Sequence, residues 1–259
     1  MPLALLNPHE CPYLPGRVAQ SRAFWADELP AELYVRFMDA GFRRSGKIVY
    51  QPTCARCREC VPIRVPVNAF RPSKSQRRCW KRNVDEVSVT FGLPAADDES
   101  FALYRRYLTD WHRRDDDDDD EKPKTDSRED FETFLYDSPV ETMEFKYRDV
   151  TSGHLLAVGI CDASATSLSS VYFFHDPSER RRGLGTFGAL YEISFARERG
   201  LEHYYLGYHV RGCRAMQYKA SFRPCEFLRT DGRWARQEPK LQDTNVGGGV
   251  AVPEKLANQ

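Results

Sequence analysis

From Ser169 to Gly200 the chain reads SSVYFFHDPSERRRGLGTFGALYEISFARERG. An aromatic, strand-like run stops at Pro177, a basic segment with two glycines follows, and a helical pattern extends from about Phe187 to Arg199 until Gly200 closes it. The turn RRRGLG, Arg180 to Gly185, decides how the rest is read. Between a strand and a helix, such a turn aims several backbone N–H groups at an anion held at the positive end of the helix dipole. Gly183 and Gly185 let that backbone come close, although any tight strand-to-helix turn can use glycines for packing alone.

Upstream, VETMEFKYRD, HLLAVGICDA and LSSVYFFHD form three strands in series with short turns, which suits an antiparallel meander. Downstream come a strand, HYYLGYHV, a helix through CRAMQYKASF and an end strand, CEFLRTDGRW. Before the meander lie a helix containing FALYRRYLTDW and a second from Ser127, with Asp130 in the capping-box position. In the first ninety residues Pro30 opens a leading helix and Gly41 closes it. Strands at Lys47–Gln51 and Val61–Val67 follow, then a helix from Ser73 to about Arg82 and the strand VSVTFGL. The fold class expected is α/β, an α+β mixed sheet. Its organisation is an N-terminal subdomain over 1–90, a larger C-terminal domain over 91–236 with an acidic loop at about 113–126, and a flexible tail over 237–259.

A meander, then R-x-x-G-x-G, a helix, a strand, and a helix ending Ala215-Met216-Gln217-Tyr218-Lys219 resembles the acyltransferase (GNAT) fold of acetyl-CoA-dependent N-acetyltransferases. The resemblance implies that the glycine loop holds a pyrophosphate, that the acyl carbonyl lies in a splay between two strands, and that Tyr218 protonates the leaving group. Tyr172, Tyr205 and Tyr208 stand on the strands that would border the splay.

Composition bounds the setting. The 259 residues are 41% hydrophobic, with no run of about 18 apolar residues and no leader pattern at the N-terminus. Neither secretion nor a membrane span is expected. Eight cysteines without a signal peptide argue for a reducing compartment, the cytoplasm. A balance of 38 basic and 38 acidic residues hides a division: residues 1–90 carry 15 Lys/Arg against 8 Asp/Glu, and residues 91–150 carry 9 against 19. RPSKSQRRCWKR, Arg71 to Arg82, holds six basic side chains, no acidic one, and Trp80. Clustered Lys and Arg beside an aromatic platform suit a polyanion. The acidic run RRDDDDDDEKPK repels itself too strongly to pack and reads as a surface loop.

YQPTCARCRECVPIRVP, Tyr50 to Pro66, sets Cys54, Cys57 and Cys60 three apart, close enough for all three thiolates to reach one ion. Cys11, in CPYLPGR, is a fourth candidate, and four thiolates suit zinc or an iron–sulfur cluster. Equally, four reduced thiols serve as small buried or redox-sensitive side chains.

Several longer runs carry a more specific resemblance: CPYLPGR, GFRRSGKIVYQPTCARCRECVPIRVPVNAFRPSKSQRRCWKR, DSREDFETFL, SSVYFFHDP, GLGT, YLGY and MQYKASFRP. In order and spacing they resemble the bacterial aspartate/glutamate leucyltransferases of the arginyl-tRNA–protein transferase family, over roughly residues 8 to 235. This implies a cytoplasmic enzyme that moves leucine from leucyl-tRNA to proteins beginning with Asp or Glu, creating an N-degron, with arginine as the alternative donor. No cofactor is required for transfer, and the oligomeric state stays open. The tRNA would rest on Lys74, Arg77, Arg78, Lys81 and Arg82, with Arg180, Arg181, Gly183 and Gly185 shaping or cradling its 3′ end. The acceptor carboxylate calls for a guanidinium fork from Arg64, Arg77 or Arg78, with Lys219 as an alternative. The chemistry is assigned to Tyr218, with Tyr172 and Tyr208 beside it. Two rivals remain, an acetyl-CoA-dependent N-acetyltransferase and a non-enzymatic zinc-ribbon module. The first leaves the basic helix and the cysteines unexplained, and the second lacks a second C-x-x-C knuckle.

Overall fold

The computed structural model describes residues 2–115 and 127–236, with backbone alone for 111–115. The tail over 237–259 and most of the acidic loop lie outside the described residues; positions 113–115 of that loop are helical. The chain opens with four short strands, β1 (Ala4–Leu5), β2 (His9–Glu10), β3 (Val18–Ala19) and β4 (Ser21–Trp25). Helix α1 (Ala31–Asp39) follows Pro30, whose fixed φ suits a helix start. It ends where Gly41 takes φ +89 and Phe42 N–H reaches back to Phe37 O. Strands β5 (Arg43–Ser45) and β6 (Ile48–Pro52) then complete an antiparallel sheet ordered β1-β4-β6-β5.

Strand β7 (Cys60–Pro66) leads to α2 (Lys74–Asn83), fixed by a reciprocal cap: Ser73 Oγ accepts from Gln76 N, and Gln76 Oε1 accepts from Ser73 N. Next come β8 (Val87–Gly92), α3 (Asp98–Asp115) and α4 (Arg128–Phe131), which runs on as a π-helical turn over Glu132–Tyr136. The expected cap at Ser127 is present, its Oγ accepting from Asp130 N. The meander is β9 (Thr142–Asp149), β10 (Leu155–Ala163) and β11 (Ser167–His175). A 3-10 turn over Pro177–Arg182 feeds α5 (Leu184–Glu198), which begins three residues earlier than the sequence pattern suggests because Gly183, at φ +66, already caps it. Strand β12 (His203–Val210), α6 (Arg214–Gln217), a 3-10 turn over Tyr218–Ser221, and the hairpin β13 (Glu226–Leu228) and β14 (Trp234–Ala235) finish the fold.

The large sheet is ordered β14-β13-β7-β12-β11-β10-β9-β8. Meander, glycine turn, helix, then a strand parallel to the third is the arrangement expected of the N-acyltransferase-like fold, and it is present. The expected boundary at residue 90 does not divide this sheet, since β7 sits between β12 and β13 and β8 forms its far edge. Val61, Ile63 and Val65 of β7 are buried, and an apolar strand of this kind belongs in the middle of a sheet rather than in a lobe of its own.

One face of the sheet packs under α2 and α5 through Val65, Tyr147, Phe187, Leu190 and Tyr204. The opposite face packs under α3 through Leu103, Tyr104, Val158 and Phe174. The N-terminal sheet and α1 form a third core around Tyr34, Phe37 and Phe42, which reaches Tyr205 of β12. A buried ion pair ties that lobe down: Arg44 Nε and Nη2 donate to Asp162 of β10 at 2.7–2.8 Å, and Tyr34 and Thr142 hydroxyls complete the carboxylate's shell.

Candidate active site

Strands β11 and β12 pair in parallel only from Ser167–Ser169 to His203–Tyr205. Beyond that the two strands diverge, and β12 bulges against β7 between Tyr205 and Tyr208, where Gly207 takes φ +80. The left-handed conformation there suits only glycine. The result is the splay that the sequence led us to expect, opened by a parallel pair that stops early and a bulge that turns the second strand away.

Tyr218 sits at this opening. Its side chain is 46% exposed and its ring packs edge-on against Phe222; partial burial, and more weakly the charges of Tyr107 and Glu192, push its hydroxyl up to about 12. At neutral pH such a phenol is a proton donor. The next residue, Lys219, donates from Nζ to Tyr208 O at 3.0 Å, and burial plus the positive charge of Arg43 lower it to about 8.

The other two tyrosines are placed differently from expectation. Tyr208 is buried and its hydroxyl donates to Gly41 O at 2.9 Å, which ties β12 to the N-terminal lobe rather than to a substrate. Tyr172 packs among Tyr104, Tyr107 and Phe134 on the α3 face, and burial there raises its hydroxyl far above the ordinary phenol range.

The basic helix and the glycine turn form one surface. Asn83 Nδ2 donates to Arg182 O at 2.9 Å, the Cys79 thiol donates to Gly183 O at 3.4 Å, and Arg82 reaches Arg181 O. Lys74, Arg77, Arg78, Lys81 and Arg82 are all exposed along α2. Beside the N-terminus of α2 an open cavity of about 560 Å³ is lined by Arg71, Arg223 and Arg236 with no acidic neighbour among its lining residues. Trp80, expected as a stacking platform, instead packs inward on Phe187 and Tyr191 at 5.4 and 6.5 Å, since it shares the helix face of Gln76 and Asn83 that meets α5. The arginines of the turn also do more packing than expected. Arg182 bonds Glu179, Glu86 and Asp149, and Arg180 bonds Asp110, so among the described residues only Arg181 of the three faces no carboxylate. Gly183 supplies the positive φ; a side chain at Gly185 would meet open space, so closeness to another chain segment does not explain it.

Of the acceptor candidates, Arg64 is already neutralised: Asp39 and Glu226 hold it at 2.7 and 2.9 Å, and Trp234 stacks 4.3 Å from its guanidinium. Arg77 and Arg78 lie on the exposed face of α2, outside any buried fork. Lys219 is the candidate that reaches the splay. Sequence reading missed Arg43, which lies against the rings of Tyr205 and Tyr208 at 5.2 and 5.6 Å. The available signal was Phe42-Arg43-Arg44 on a strand, where alternation sends successive side chains to opposite faces and two adjacent arginines must each find a setting. Glu192 was missed too, although a lone carboxylate in the apolar stretch GALYEISFA marks a buried acid.

The four cysteines share one neighbourhood, Cys11 being carried there by the β2–β3 hairpin. Cys60 is pushed up to about 12 by burial and by Cys54, Cys57 and Cys11 around it. Each of two thiols nonetheless has its own partner: Cys54 bonds the backbone of Gln20, and Arg17 donates to Cys57 at 3.3 Å. Among the described residues no group of three or more His, Cys, Asp or Glu side chains is arranged to hold one ion. No helix among the described residues is long and apolar enough to cross a membrane.

Comparison with known proteins identifies the family. The family model for the N terminus of arginine-tRNA-protein transferase matches residues 9–78, and that for its C terminus matches residues 99–229. An aspartate/glutamate leucyltransferase of Pseudomonas putida strain GB-1 is 40% identical over 229 residues, covering 88% of this chain and 93% of the relative. Another, of Stenotrophomonas maltophilia strain K279a, is 43% identical over 231 residues, covering 87% and 88%. Among solved structures, L-PGS from Bacillus licheniformis aligns with a TM-score of 0.43 at 13% identity, over 72% of this chain and 52% of that one. FemX aligns with a TM-score of 0.44 at 11% identity, over 79% of each chain. With both halves of the family model matched and relatives at this identity aligned along most of their length, the chain belongs to the arginine-tRNA-protein transferase family, in the company of the aspartate/glutamate leucyltransferases.

Proposed function

We propose that the chain transfers leucine from leucyl-tRNA to the N-terminal Asp or Glu of acceptor proteins in the cytoplasm, marking them for degradation as N-degron substrates. The observation that supports this reading best is the joining of two features: a strand splay followed in the chain by the phenol of Tyr218, and the exposed basic face of α2, which is bonded to the glycine turn. A tRNA backbone suits the exposed lysines and arginines of α2, because clustered cations release counterions from phosphates. Its aminoacylated 3′ end reaches the splay.

The acceptor's α-amine, with an ordinary pKa near 8, is partly neutral at cellular pH and attacks the ester carbonyl without a strong base. Holding amine and ester together supplies most of the acceleration. Tyr218, kept protonated by its surroundings, gives its proton to the departing ribose oxygen. These steps call for no cofactor. Metal analysis of anaerobically purified protein tests the cysteine group separately, stoichiometric zinc or iron restoring the metal reading.

The test is transfer of radiolabelled Leu or Arg from charged tRNA to peptides beginning with Asp, Glu, Lys or Arg. Leucine on Asp and Glu peptides is the expected result. Arginine on the same peptides would select the second reading, which the description of the family model favours. Transfer of neither would overturn both.

A further inference from the structure

Arg43 is 6% exposed, yet it faces no carboxylate among the described residues. Its Nη1 donates to Met38 O and Phe42 O at 3.2 and 2.5 Å, its Nη2 to Gly207 O at 3.4 Å, and its Nε is left without a partner. Neighbouring arginines are treated differently. Arg44 meets Asp162, Arg64 meets Asp39 and Glu226, and Arg182 meets three acids. A second cation stands at the same bulge, since Lys219 Nζ bonds Tyr208 O and would lie 3.6 Å from a Cβ placed on Gly207. The charged or titratable groups that bear on Lys219 are Arg43 and the thiols of Cys213 and Cys60, and none of them is a carboxylate. Burying a cation without a counter-ion costs several kcal/mol in a water-poor site. Two such cations on one bulge, at the mouth of the splay, make a place that an anion completes.

We infer that Arg43 and Lys219 together form the site that takes the side-chain carboxylate of the acceptor's first residue. This rests on the transfer reading above and extends it to the choice of acceptor. A carboxylate fits better than a tRNA phosphate: Arg43 is enclosed between Tyr205 and Tyr208, whereas the exposed cations for a phosphate chain lie along α2. Arg43 Nε has one unmade hydrogen bond, and Lys219 Nζ makes one to Tyr208 O and has further N–H groups to give, so both have donors to offer a carboxylate. Approach of that carboxylate also restores the full charge of Lys219, which burial and Arg43 together depress to about 8. Asn at the acceptor's first position has nearly the same shape and no charge, and forfeits the gain.

The experiment measures leucine transfer by the full chain, with leucyl-tRNA saturating, to peptides beginning with Asp, Asn or Ala, for wild type, Arg43→Gln and Lys219→Met. Loss of one charge-assisted hydrogen bond corresponds to about 10-fold to 100-fold in KM for the Asp peptide. The same change leaves the Asn peptide within about threefold on that scale, so the Asp/Asn ratio collapses, and KM for leucyl-tRNA stays put. Variants that keep the Asp/Asn ratio overturn the inference, as does a raised KM for leucyl-tRNA with the ratio intact, which would assign the cations to a terminal phosphate. Lys219, being half-buried, tolerates substitution better than Arg43 and carries the test if Arg43→Gln does not fold. Calorimetric binding of the Asp and Asn peptides to wild type needs no tRNA: equal affinities overturn the inference even if transfer is seen. Absence of leucine transfer by wild type, with Asp still bound more tightly than Asn, would count against the transfer reading and leave the carboxylate site standing.

Discussion

Glu192 gives the sharpest test of the packing beneath the splay. Its carboxyl is 1% exposed, accepts from Tyr147 Oη at 3.3 Å and from Tyr204 Oη, and also takes the Cys161 thiol. Burial raises it from 4.5 to about 7, the three donors offsetting only part of that rise. The folded pKa exceeds the unfolded one, so the folded state binds the extra proton between pH 4.5 and about 7. Stability from this group is therefore whole below pH 4.5 and drains away as pH rises to about 7, after which the loss is complete. A rise of about 2.5 in pKa, at about 1.36 kcal/mol for each tenfold in proton affinity, makes that loss about 3 kcal/mol. Glu192→Gln keeps the side-chain shape and never ionises. Urea unfolding of both proteins across this range is expected to show wild type losing about 3 kcal/mol relative to Glu192→Gln, while carboxylates such as Asp176, which its hydrogen-bond partners hold down at about 2, cancel in the comparison. A pH-independent difference between the two proteins would refute the reasoning.

Replacing Tyr218 by Phe is expected to lower turnover by about 100-fold, in the range of a lost general acid, with KM for leucyl-tRNA unchanged; steady-state kinetics on an Asp peptide decides, and equal turnover removes the role. Asp162→Ala leaves Arg44 buried and unpaired and should cost about 3–5 kcal/mol in urea unfolding, whereas Arg44→Met with Asp162→Leu should cost far less. Neutralising Lys74, Arg78 and Lys81 together by Gln should weaken tRNA binding and flatten its salt dependence by about 0.7–0.9 for each phosphate no longer engaged, read from binding isotherms at several salt concentrations. A slope that does not change would place the RNA elsewhere.

The central elements were legible because their local signals are strong. β10, β11 and β12 are long apolar runs, and Ser73 with Gln76 spells out its own cap. The two-residue strands β1 to β3 carry no periodicity to read, and they exist only because partners several residues away complete their hydrogen bonds. The segment CRAMQYKASF reads as one helix but breaks into α6 and a 3-10 turn, where Lys219 is held to Tyr208 and Phe222 is drawn into the core. The candidate site divides in the same way. Tyr218 and the α2 stripe follow from spacing, whereas the neutralisation of Arg64 by Asp39 and Glu226, and the isolation of Arg43, depend on residues far apart in the chain.

The place of β7 in the sheet governs how the molecule is made. Arg64 and Glu226 are 162 residues apart, yet they lie side by side on neighbouring strands. As the chain leaves the ribosome, β7 therefore emerges with both edges unsatisfied and stays so until β12 and β13 have been synthesised. Such long-range pairing is slow to form and exposes apolar edges meanwhile. A chain broken off before residue 203 would keep an open, sticky strand at its centre, so a sound sheet and an aggregating fragment are separated by synthesis of the stretch that carries β12 and β13.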